Sequence, residues 1–67
     1  MSNQELAVYF VNWLAHRAET TQDPREFAET VEFIRQHKRF KKLPALMRGQ
    51  IEGFAVGVIA QREGLVG

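Results

Sequence analysis

This chain contains no cysteine, so neither a disulfide nor a thiolate metal site can supplement its core. It has no long apolar run. The longest uninterrupted stretch of apolar residues and glycine, Gly53 to Ala60, is far below the roughly 20 residues that span a bilayer. Neither sign of charge dominates: nine Lys and Arg against eight Asp and Glu leave a net charge of +1, unlike strongly basic or acidic interaction tails. No basic segment precedes the apolar stretch in "MSNQELAVYF", where Glu5 stands instead. With the lack of cysteine, this predicts a cytoplasmic protein without membrane association.

What is present is ordinary for a globular protein: 45% apolar and 25% charged residues are incompatible with a disordered chain. Sixty-seven residues allow one domain, and a chain of this size buries only about 60% of the surface exposed when unfolded. Helix packing or oligomerisation must therefore provide its stability. No strand pattern, repeat or low-complexity tract competes with helix, and the prediction is an all-α, three-helix domain with helices near residues 3–19, 24–38 and 44–63.

Ser2 and Glu5 make the S-x-x-E capping pattern at the first helix, whose apolar stripe is Leu6, Phe10, Trp13 and Leu14, widened by Ala7, Tyr9 and Ala18. Asp23, Pro24 and Glu26 mark the start of the second helix. Phe27, Val31 and Ile34 face inward from it, while Phe33 projects about 120° from Phe27 and stands apart. Pro44 opens the third helix, which has no good side-chain cap, and Gly64 is placed to end it in the left-handed conformation, with Leu65 folding back on Ile59 or Ala60. In the third helix Met47, Ile51, Phe54 and Val58 form a core stripe. The expected core is thus Leu6, Phe10, Trp13, Leu14, Phe27, Val31, Ile34, Ile51, Phe54 and Val58.

About 130° from that stripe lies a second, nearly smooth one of Gly49, Gly53, Gly57 and Ala60. Each glycine costs about 0.8–1.0 kcal/mol relative to alanine in a helix interior, so the three together cost roughly 2.5–3 kcal/mol. A smooth stripe allows close backbone approach. Its partner is either the first helix, with Trp13 or Phe10 laid across it, or the same stripe of a second copy in a twofold homodimer. Alternatively the glycines are tolerated on a half-exposed face. The large apolar residues of the first and third helices, with Phe33 and Phe40 left over, exceed what three short helices enclose, which favours a homodimer.

Catalysis is not expected. The hydroxyl candidates Ser2, Thr20, Thr21 and Thr30 lie at a terminus, in a turn or without a base. His16 and His37 stand on separate segments without the i, i+4 pairing of a helical metal site, and Glu29 with Glu32 makes a solvated face. No metal or cofactor is predicted. The expected function is non-catalytic binding to another protein, in the manner of an adaptor, inhibitor or regulator, with Tyr9 and Phe33 as anchors. Lys38, Arg39, Lys41 and Lys42 around Phe40 offer a second possibility: phosphate contacts and a stacking ring for nucleic acid, unless Phe40 plugs the gap between helices. A structural subunit of a larger assembly is a third.

Overall fold

The computed structural model describes residues 2–64. Four helices account for nearly all of them: α1 (Asn3–Thr20), α2 (Pro24–Arg35), α3 (Lys38–Lys41) and α4 (Ala45–Arg62), with no strand among the described residues. The protein is all-α and small, as its composition predicts.

Local chemistry sets the ends of α1 and α2. The Glu5 amide donates to Ser2 Oγ at 3.1 Å while the Ser2 amide donates to the Glu5 carboxylate at 3.5 Å, completing the capping box. Asp23 Oδ1 accepts the Arg25 amide at 2.9 Å, with Pro24 at the first helical position. Pro44 stands at the N-cap of α4 and supplies no side-chain bond. Gly64 follows the last turn with φ of 74°, the left-handed value that favours glycine. The expected fold-back of Leu65 lies outside the described residues.

Three arginines fix how the helices run. Arg17 Nε donates to Thr30 Oγ1 at 3.3 Å and Nη2 stands 3.9 Å from Glu26, while Trp13, one turn earlier in α1, meets Phe33 near the end of α2, so these helices are antiparallel. Arg35 Nε reaches Glu52 Oε1 at 3.1 Å, and Arg62 donates to the Ala18 carbonyl and Gln22 Oε1. Accordingly α4 runs antiparallel to α2 and parallel to α1, and each of the three long helices packs on the other two. At their centre Phe10, Leu14, Phe27 and Ile34 are essentially without solvent contact. Ile51 and Ala55 meet them from α4, and Phe40 and Leu43 close the end.

Two expectations are corrected. The second helix does not continue to residue 38, and the domain has a fourth helical turn. On an unbroken α2, Phe40 would project about 120° from Ile34 and into water. Instead the chain breaks at Gln36–His37, where His37 is extended and its Nδ1 accepts the Arg39 amide at 3.1 Å, capping α3. The break turns Phe40 inward, where its ring meets Phe10 edge-on at 5.7 Å. The core stripe of α4 is also rotated from the one expected. Ala55 is buried and Phe54 is 38% exposed, because a small residue at the centre of the contact lets α4 settle between α1 and α2. Trp13, Val31 and Val58 pack against the core but are only partly buried.

Candidate functional site

The helices present three distinct surfaces. On the side of the bundle away from α4, Tyr9, Trp13 and Phe33 form a chain of edge-to-face rings, with centroids 6.1 Å apart for Tyr9–Trp13 and 5.7 Å for Trp13–Phe33. Trp13 leans over the α1–α2 groove, whereas Tyr9 is 52% and Phe33 64% exposed. Two shallow hollows flank Phe33, one reaching Glu26 and Glu29 and the other Glu29, Glu32 and His37. The surface is therefore aromatic at its centre and acidic along the α2 side. Tyr9 and Phe33, the anchors expected from the sequence, are both exposed, and Trp13 stands between them. Its signal in the sequence is its position one helical turn after Tyr9.

The second surface is the outer face of α4. Gly49, Gly53 and Gly57 are all exposed, and a β-carbon built on any of them would meet nothing within 4 Å among the described residues. This overturns close packing of the glycine stripe against α1 within the chain: α1 lies on the Ile51–Ala55 side, and neither Trp13 nor Phe10 crosses the stripe. Ala60 lies on the same outer side and is partly buried. Two residues absent from the sequence-based assignment, Leu46 at 75% and Val56 at 64% exposure, complete the face. Leu46 projects about 25° and Val56 about 55° from the stripe's centre, so the projection that finds the glycines would also have found them. No ionisable side chain lies on this face. Glu52, on its flank, is held by Arg35.

The third surface is the basic end. Lys38, Arg39, Lys41 and Lys42 are exposed, and none makes an ion pair among the described residues. Phe40, which was to offer nucleic acid a stacking ring, is 4% exposed and fills the gap between helices instead. Its ring is core because the break at His37 turns it inward. Arg48 is committed too, with Nε donating to the Leu43 carbonyl at 3.1 Å. His37 serves as a cap and packs its ring edge-on against Phe10 at 5.4 Å, while His16 is solvated. Among the described residues, no three His, Asp or Glu side chains converge as a metal ion requires, and no helix is long and apolar enough to cross a membrane.

Comparison with known proteins adds no relative: no protein-family model matches the chain, and neither does any curated protein or solved structure. Function must therefore be argued from these three surfaces alone.

Proposed function

We propose that the protein works in the cytoplasm without catalysis, as a self-associating adaptor, inhibitor or regulator that binds another protein through Tyr9, Trp13 and Phe33. The observation that carries this reading is the exposed ring cluster. Aromatic side chains combine large contact area with few rotatable bonds, and they dominate binding energetics when a partner covers them. Glu26, Glu29 and Glu32 along the rim favour a partner segment that sets an apolar side chain among lysines or arginines. Self-association belongs to the opposite side, on α4, so it leaves the aromatic surface free.

The test is affinity capture with wild type, Phe33→Ser and Leu46→Glu in parallel, with circular dichroism confirming that each variant stays helical. The expected result is a protein retained by wild type and Leu46→Glu and lost with Phe33→Ser. Titration of that purified protein should then shift Trp13 emission to the blue. If wild type and Phe33→Ser retain the same proteins, the aromatic surface is not the binding site.

A second reading draws support from the exposed cations of the basic end. Lys38, Arg39, Lys41 and Lys42 can contact phosphates of a nucleic-acid backbone, without a stacking ring and without base reading. Oligonucleotide titration at two salt concentrations tests it: affinity falling steeply with salt supports the contact, and no binding at low salt eliminates it.

A further inference from the structure

A surface helix in a monomer carries polar or charged residues toward water, and a helix apolar on all sides is one that is covered. The outer face of α4 has no charge, two large exposed aliphatics and three glycines on which a β-carbon would meet nothing within 4 Å among the described residues. Its surroundings, by contrast, are strongly polarised. The end of the bundle where α4 begins holds Arg35, Lys38, Arg39, Lys41, Lys42 and Arg48 against Glu5 and Glu32, a net charge of +4. The remainder holds Arg17, Arg25 and Arg62 against Glu19, Asp23, Glu26, Glu29, Glu52 and Glu63, a net charge of −3, with Glu26 and Glu29 on the side away from α4.

We infer that a second copy of this chain covers α4, with the two α4 helices antiparallel about a twofold axis at Gly53. The orientation rests on the reading of α4 as a self-association face, and charge decides it. A parallel pair sets two +4 ends side by side, whereas an antiparallel pair sets each basic end beside the partner's acidic end and opposes the helix dipoles. The sequence then fixes the register. With Gly53 opposite the partner subunit's Gly53, Gly49 faces the partner's Gly57 and Leu46 faces the partner's Ala60. The most exposed large hydrophobic side chain among the described residues thus lies over a small one, and glycine meets glycine along the middle of the contact. The backbones approach closely there, gaining dispersion contacts that ordinary side chains would hold off. Both aromatic surfaces face outward, so the assembly presents two binding sites on opposite sides.

The absence of cysteine makes the test direct. Sedimentation of wild type at high micromolar concentration should show a dimer, and Leu46→Glu, which buries an unpaired charge in the contact, should weaken it about tenfold or more. A wild-type monomer overturns both the self-association reading and the orientation. A dimer indifferent to Leu46→Glu moves the contact off α4 and overturns the inference. Under mild oxidation, Gly53→Cys should form an intermolecular disulfide, and Gly49→Cys and Gly57→Cys should link to each other when mixed but not to themselves, since a disulfide needs Cα atoms about 4.4–6.8 Å apart. Self-linking of Gly49→Cys and of Gly57→Cys, with no link between them, makes the pair parallel: the orientation then fails while self-association stands. A dimer that forms none of these disulfides overturns the register.

Discussion

Helices α2 and α4 share one core and differ on their outer sides. In α2, a side-chain cap at Asp23 and a first-turn proline define the start, Phe27 and Ile34 go inward, and Arg25, Glu29, Glu32 and Arg35 go to water. In α4 the start has no side-chain cap, Ile51 and Ala55 go inward, and Leu46, Gly49, Gly53, Val56 and Gly57 go to water. The first is a finished surface helix. The second has an inner face that fits the bundle and an uncharged outer face of aliphatics and glycines bordered by Gln50, at a cost in helix propensity that no contact among the described residues offsets. Two helices of one small domain can thus be under different constraints, one from the fold and one from what the fold meets.

The inner faces, where the helices agree, carry the largest expected effect. Phe27→Ala removes one of the four largest fully buried side chains among the described residues and should cost about 3–5 kcal/mol, most of the stability available to a domain of this size. Urea unfolding followed by circular dichroism should find the variant largely unfolded without denaturant. A loss below about 1 kcal/mol would mean that α2 is not anchored through Phe27.

The outer faces, where the helices disagree, predict a change of opposite sign. Replacing Gly49, Gly53 and Gly57 together by alanine adds β-carbons that meet nothing among the described residues, so the isolated chain should gain roughly 2.5–3 kcal/mol, about 10–20 °C in Tm for a domain this small. Thermal melts at low micromolar concentration check this. At high concentration the same variant should self-associate less, because the added methyl groups hold the backbones apart. A variant that is less stable when dilute would show that the chain itself needs the glycines, and the contrast between the two helices would collapse.

How far each feature was legible in the sequence follows the same division. The starts of α1 and α2 are local, since Ser2–Glu5 and Asp23–Pro24 satisfy backbone donors within their own turns. The break at Gln36–His37 is not, because what breaks α2 is the demand of Phe40 and Leu43 for the end of a core built by other helices. No signal within residues 36–40 distinguishes that from a helix simply continuing. The rotation of α4 was hidden for a related reason: the hydrophobic stripe favours the larger Phe54, while three-body packing favours the small Ala55. For the candidate surfaces, Phe33 stood out because it departs from its own helix's stripe, and the glycines because they recur at four-residue spacing. Phe40 carried no mark telling a stacking ring from a core ring, since flanking lysines accompany either.

The direct tie between the two helices predicts the smallest effect. Arg35 donates from Nε to Glu52 at 3.1 Å and from Nη1 to Glu32 at 2.8 Å, but the side chains of Arg35 and Glu52 remain 51% and 40% exposed, so solvent screens their attraction. Glu52→Gln should therefore change stability by about 0.5 kcal/mol or less, with Arg35 keeping Glu32, and a Tm shift of no more than about 4 °C. Melts at low and high salt should differ little between variant and wild type. A shift several times larger would mean that Glu52 is desolvated under working conditions. Because Glu52 borders the uncharged face of α4, that desolvation would have to come from a neighbour covering the face, and it should then grow with protein concentration.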